Sequence, residues 1–293
     1  YANAAMTLPA LMHSIELLLK NKGARNVSYL GVATALVIVS GQPEAALYIL
    51  ALGAAYFSFR TAGPCLPPAG AGLSGVKEFL RLFARAAFGL LLGLMLAMPL
   101  ILIFIEYAEL SYNLHPAGGG AGLQHIENWK KVFSIFAPSA TEVPAHPSLL
   151  PDALSGYKDA AGVQGFFRVF ATKGAWDYVG GYAGIIAVYL GLTGLIISIV
   201  HKNRRLLGQL IFFLSLAAVV ILKNFGVRPF LWLGQIPLFD RVWSPRWAGP
   251  TWVFALSIAG ALGWQALYEA KAAAPARLRL LDTLKKKAQA QGW

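Results

Sequence analysis

With 293 residues, 57% of them hydrophobic and only 13% charged, a net charge of +12 and a mean hydropathy of +0.58, the chain is too apolar for an ordinary soluble domain, in which about a quarter of residues are charged. The composition predicts a polytopic membrane protein and argues against nucleic-acid binding, because the cations fall between apolar stretches, where membrane topology puts them. The single Cys65 excludes an intrachain disulfide and a cysteine-built zinc site.

Residues 4–19 are apolar but short for a span, and they run into Lys20, Lys22 and Arg25. They read as the end of a helix entering the cytoplasm. Residues 27–41 return outward and stop at Gly41-Gln42-Pro43-Glu44, and residues 45–59 descend to Arg60, which predicts a tight helical hairpin with its tip outside. A Pro/Gly-rich linker from Thr61 to Gly75 leads to residues 86–105, twenty residues without a charged or strongly polar side chain. A helix of that length rises roughly 30 Å, the thickness of a bilayer's hydrocarbon core. Lys77, Arg81 and Arg85 precede it, and Glu106 and Glu109 follow it.

From Tyr107 to Val179 the chain is expected to be outside and mostly irregular. Two pieces carry helical spacing: Ile126, Trp129, Phe133 and Phe136 share one face, and Phe166, Phe167 and Phe170 cluster beside Arg168. Such segments suit the headgroup level of a membrane or a small folded cap. Spans are expected again at 181–200, 206–222 and 250–268, with a basic turn from His201 to Arg205 and a basic tail from Glu269 to Trp293 that forms a helix on the membrane surface. The resulting fold is all-α, a transmembrane bundle of about seven spans. It divides into a first membrane region 1–106, an extracytoplasmic loop region 107–180, a second membrane region 181–268 and a cytoplasmic tail 269–293. The segments expected inside hold 16 of the 25 Lys and Arg and three acids, whereas those outside hold nine cations and nine acids. That asymmetry sets the orientation. Because the chain begins at Tyr1 in mid-pattern, it reads as a piece of a longer protein.

Varied polar residues occur mainly in the outer segments and span ends, so function is expected to face outward. Nucleotide-binding and common hydrolase signatures are missing from the sequence. Glu44 has a local explanation, a carboxylate in the first turn of a helix, and a functional one, a base or sugar-binding group at a cleft between spans. Glu106 and Glu109, at i and i+3, share a helix face at a carboxyl-terminal end, where the dipole opposes them. In the second outer segment Arg241 and Arg246, with Lys223 and Arg228 upstream, are candidates for a cationic pocket for phosphate oxygens. Trp243 and Trp247 suit either the aromatic belt or stacking on sugars. His13, His115, His125, His146 and His201 show no ligand spacing, so no metal and no cofactor is expected.

The order of these motifs resembles that of bacterial YfhO-type membrane proteins, which are similar to C-type glycosyltransferases. The resemblance rests on several short stretches. They are Gly41-Gln42-Pro43-Glu44, the Pro99 span ending in Glu106-Tyr107 with Ser111, and Phe133-Ser134-Ile135-Phe136-Ala137-Pro138. Tyr178-Val179-Gly180-Gly181-Tyr182 and Ile236-Pro237-Leu238-Phe239 with Arg241 and Arg246 complete it. It implies transfer of a sugar from a polyprenyl-phosphate donor to a cell-envelope acceptor outside the bacterial cytoplasmic membrane. Glu44 and Glu106 would be catalytic, Arg228, Arg241 and Arg246 would hold the lipid phosphate, and Glu109, Trp243 and Trp247 would contact sugar. The family's acidic motif in a first outer loop has no counterpart here, and Gln42 stands where relatives often have His. The alternatives are a transporter or flippase of envelope lipids or polymers, and a non-catalytic subunit of a membrane assembly. Residues 86–105, 181–200 and 206–222 carry no acidic or basic side chain for a transport path. A peptide tag placed between Gly118 and Gly120 should react with membrane-impermeant reagents in intact cells; protection of the tag would invert the orientation.

Overall fold

A backbone in an apolar slab must satisfy its own N–H and C=O groups, and a continuous helix does so within one segment. The apolar stretches accordingly fold as helices, and no strand occurs among the described residues. The computed structural model describes residues 2–21, 23–62, 72–110, 120–126, 132, 135–136 and 183–290. In chain order α1 spans Ala2–Lys20, α2 Ala24–Val39, α3 Pro43–Ala62, α4 Gly72–Leu110 and α5 Ile185–Val200. They are followed by α6 Arg204–Asn224, α7 Arg228–Leu231, α8 Ser244–Trp247 and α9 Gly249–Ala290. Short 3-10 turns lie at Ala121–Leu123, Trp232–Gln235 and Phe239–Arg241. Among the described residues two helical stretches, Lys77–Tyr107 and Arg204–Asn224, are long and apolar enough to cross a membrane; α2 and α5 are apolar but shorter.

The helix boundaries follow local chemistry. Gly41, at φ +82°, takes the left-handed turn after α2, and Pro43 opens α3, where its missing N–H is no loss. Asn203 caps α6 by accepting from the Leu206 N–H at 3.3 Å. Its amide also donates to Glu269 of α9 at 3.0 Å, tying the α5–α6 turn to that helix. At the far end of α6, Gly226 adopts φ +75° and its N–H returns to the Lys223 carbonyl at 3.0 Å.

The bundle is held by two close, parallel helix pairs. On α5 and α9, Gly191 and Gly194 face Ala259, Gly260 and Gly263; a Cβ on Gly263 would lie 1.9 Å from the Leu190 carbonyl oxygen, and one on Gly194 2.2 Å from the Gly263 Cα. On α2 and α4, Gly31, Gly89 and Gly93 sit against Leu92, Leu30 and Thr34. Small residues allow such backbone contact, and dispersion then acts across the whole seam. Between these pairs α3 contacts α1, α2, α8 and α9. It runs antiparallel to α6, with Tyr56 stacked on Phe213 and Phe59 on Phe212. A half-buried ion pair joins α1 to α3: Arg60 donates to Glu16 at 2.7 and 3.1 Å, and the Tyr56 hydroxyl donates to the same carboxylate at 2.7 Å. Much of α4 faces outward, with Leu91, Met95, Leu102 and Ile103 exposed.

These directions gather the ends of the elements. Lys20, Arg25, Arg60, Lys202, Arg204, Arg205 and Lys271 lie toward one end, hereafter the basic end, and Glu44, Glu106, Lys223, Arg228 and Arg241 toward the other. Two helices outrun the stretches the sequence marked. α4 begins at Gly72, so Lys77, Arg81 and Arg85 ride on the same helix as the apolar run, and α9 continues from the last apolar stretch to Ala290. Residues 63–71 of the Pro/Gly-rich linker, the Phe166–Phe170 cluster, Trp129, Phe133, Gly118 and Gly119 lie outside the described residues.

Replacing Gly263 by valine should cost on the order of 3 kcal/mol, because the side chain would have to push the helix backbones of α5 and α9 apart. Gly208→Ala, whose added carbon would meet only the Phe59 ring at 3.9 Å, should cost nothing measurable. Thermal unfolding in detergent reads both.

Candidate functional site

Where α3 and α6 run side by side, small residues on both helices leave room between them. Ala51, Ala55 and Gly208 set the width of a cavity of about 580 Å³, walled along its length by Leu52, Ile211, Phe212, Leu216, Val219 and Val220. Phe59 and Gly208 bound it toward the basic end, and Tyr48 and Lys223 toward the other. From Gly208 to Lys223 is roughly 22 Å of helix, most of a bilayer's hydrocarbon thickness.

Polarity is concentrated at the far end. Lys223 is 4% exposed and its ammonium donates to the Ser244 hydroxyl, which in turn donates to the Asn224 side-chain oxygen at 2.8 Å. No carboxylate pairs with Lys223 among the described residues. Asn224 is fixed from behind, its backbone carbonyl accepting from the Ile126 N–H at 2.7 Å. Its side-chain nitrogen, like the hydroxyl of Thr251, is buried and lacks a hydrogen-bond partner among the described residues. Both residues line the cavity. Burying such groups without partners costs about 1–3 kcal/mol each, and an enclosed ammonium without a counter-ion costs more. The arrangement therefore presents a cation, an amide donor and the Thr251 hydroxyl to whatever fills the head of the groove. Tyr48 and Phe239, edge to face with centroids 5.0 Å apart, close that end from above.

Four sequence-distant pieces meet here: the first half of α3, the end of α6, the segment Leu233–Ser244 and the start of α9. The predicted site residues distribute around them unequally. Glu44 is half-buried in the first turn of α3, one turn before Tyr48. Arg241 is exposed two residues beyond Phe239, at the rim, and Arg228 is exposed on α7. Trp243 is half-buried, and Trp247 packs on the core. Glu106 is exposed near the end of α4 and does not line the groove. The neighbouring Phe104 and Tyr107 instead border a separate apolar cavity of about 480 Å³ against Ile38, Gly41, Pro43 and Leu47. The side chains of Glu109 and Arg246 lie outside the described residues. Of the groove's polar groups, sequence reasoning singled out only Lys223, as one cation among four. Tyr48, Asn224, Ser244 and Thr251 carried no signal beyond being polar residues beside apolar runs. No cluster of three or more His, Cys, Asp or Glu is placed to hold a metal ion among the described residues.

No protein-family model matches the chain, and no curated protein or solved structure is significantly similar to it.

An ammonium that helped the fold would be missed on removal, and one held for a ligand would not. Lys223→Met keeps the length of the side chain and removes an enclosed charge, so unfolding in detergent should show stability unchanged or raised by about 1 kcal/mol. A loss of more than that would make Lys223 a structural group.

Proposed function

We propose that the protein is the membrane-embedded portion of a glycosyltransferase that takes its sugar from a polyprenyl-phosphate donor and passes it to a cell-envelope acceptor. The observation that carries this reading is the groove between α3 and α6: an apolar channel most of a bilayer's hydrocarbon thickness in length, ending at a buried lysine for which no carboxylate partner occurs among the described residues. That is the complement of an amphiphile with an anionic head. The order of motifs along the chain supports the sugar-transfer aspect of the proposal.

In this reading α1 to α6 and the first half of α9 make about seven spans in the bacterial cytoplasmic membrane. The basic end and the carboxyl terminus face the cytoplasm, as the positive-inside rule requires. The polyprenyl chain lies against Ala51, Ala55, Ile211 and Leu216, and the phosphate meets Lys223, with the Asn224 amide and the Thr251 hydroxyl completing its hydrogen bonds while Ser244 holds Lys223 and Asn224 in place. Arg241 and Arg228 are exposed near this end and draw the anionic head toward the groove, and the same role is proposed for Arg246. Transfer then follows from ordinary chemistry. An acceptor hydroxyl oxygen bonds to the anomeric carbon, the bond from that carbon to the phosphate oxygen breaks, and the lipid phosphate keeps the electron pair. Lys223 stabilises the charge that develops there. Glu44, one turn above Tyr48, is placed to orient sugar hydroxyls or take the acceptor's proton. Trp243 and Trp247 would stack against sugar and Glu109 would contact it, whereas Glu106, which does not line the groove, takes no part in the transfer step. A flippase using the same groove would need a hydrophilic path past Val219, Leu216 and Ile211, and those residues offer none.

The test is reconstitution of the full-length protein in lipid vesicles with a series of polyprenyl-phosphate sugars, following release of the lipid phosphate. Lys223→Met should lower kcat/KM by about 10²-fold or more, the usual effect of losing a transition-state charge partner. Arg241→Ala, which removes a steering charge at the rim, should lower kcat/KM by less than Lys223→Met does, with membrane insertion intact. Wild-type turnover in Lys223→Met would remove the groove from the mechanism.

A further inference from the structure

A second amphiphilic cleft lies on the opposite side of α1 from the Glu16–Arg60 pair. It occupies about 770 Å³ between α1 and α2, at the basic end of the bundle. Its upper portion is polar and prearranged. The Asn26 amide donates to the carbonyls of Leu17 at 3.0 Å and Asn21 at 2.5 Å, which pins the turn between the helices. Arg25 donates from Nε to the Tyr29 hydroxyl at 2.7 Å, and its guanidinium carbon sits 5.2 Å from the centre of that ring. The guanidinium is thus held on the wall of the cleft by two contacts, and no carboxylate pairs with it among the described residues. His13 lines the cleft below, and Lys20 ends α1 beside Asn21. No acidic side chain lines it among the described residues, and Glu16 of α1 is engaged by Arg60 and Tyr56 of α3. Away from the turn the lining changes to Ala10, Val32, Ala33 and Leu36, and Val32 and Leu36 continue onto the exposed face of α2.

We infer that this cleft is a binding site for an anionic phospholipid of the leaflet that faces the α1–α2 turn, with the phosphate on Arg25 and an acyl chain against Val32 and Leu36. The charge pattern decides the occupant. A zwitterionic headgroup would bring its own cation next to Arg25 and Lys20 with no carboxylate among the described residues to receive it, whereas an anionic one brings only the phosphate charge that these cations attract. The apolar floor decides between a lipid and a soluble anion, because free phosphate would leave Ala10, Val32 and Leu36 uncovered. This inference rests on the membrane placement of the bundle and not on sugar transfer.

Photolabelling tests it. The full chain is placed in nanodiscs carrying a phosphatidylglycerol with a photoactivatable acyl chain, or the matching phosphatidylcholine, and the adducts are mapped by peptide mass spectrometry. The anionic lipid should label residues 10–36 preferentially. Arg25→Gln should reduce that labelling about fivefold, the worth of one cation at an anionic surface. Tyr29→Phe, which frees the guanidinium without removing it, should reduce it less. Lys223→Met should leave it unchanged, which separates this cleft from the donor groove. A melting temperature equal to wild type shows that the variants are folded. Equal labelling by the two lipids, wild-type labelling of Arg25→Gln, displacement by excess inorganic phosphate, or capture of a second protein chain at residues 10–36 would each overturn the inference.

Discussion

Backbone contact between α5 and α9 is the constraint from which the second half of the bundle takes its form. Where helices touch backbone to backbone, attraction comes from dispersion over closely fitted surfaces. The pairing of Gly194 with Gly263 brings the two helices to a separation that any side chain would prevent. That approach fixes α9 behind α6, buries Trp252 completely and sets Thr251 at the head of the groove. A looser pairing would withdraw the start of α9 from Asn224 and Lys223. The groove therefore depends on glycines that lie outside it.

The groove itself exists because α3 and α6 are matched in the opposite sense. Their aromatic residues meet toward the basic end, where Tyr56 and Phe59 pack on Phe212 and Phe213. Above that contact Ala51 and Ala55 are too small to follow, and a void remains. Protein interiors ordinarily close such voids, because each lost contact forfeits dispersion. An open apolar channel between otherwise tightly packed helices has the width and the chemistry to seat a lipid chain, which would restore the contacts that the alanines forgo.

How much of this was legible in the sequence depended on the range of the interaction. The hairpin tip at Gly41-Gln42-Pro43-Glu44, the turn from His201 to Arg205 and the long apolar run of α4 are local facts, written in consecutive residues, and the helices lie where those residues put them. The ends of α4 and α9 were less legible. Lys77, Arg81 and Arg85 look like a loop in a hydropathy reading, yet their spacing of four puts them on one face, leaving Leu82 and Ala86 to be buried on another. The site was only partly legible. Tyr48, Lys223, Ser244 and Thr251 come from four separate segments, and nothing in any one segment says which polar residue will turn inward. Glu106 illustrates the reverse. Its position at the end of a span suggested a special environment, but the face it occupies on α4 is turned away from the groove.

The same distinction bears on which cation should matter most to an anionic ligand. Arg228 and Arg241 are the more obvious phosphate binders by chemistry, since a guanidinium offers a planar pair of donors. Both are exposed, however, and two unit charges about 4 Å apart attract by only about 1 kcal/mol in water. At the effective dielectric of a partly buried protein site the same pair is worth roughly 4 kcal/mol. Lys223, enclosed among Ser244, Asn224 and apolar side chains, is on the favourable side of that comparison. Exposed arginines at the rim act over distance and set how fast an anion arrives, whereas the enclosed ammonium sets how firmly it stays. In the proposed role such a site would discriminate by depth: a ligand would have to carry an apolar chain long enough to enter the groove before its charge could reach the lysine.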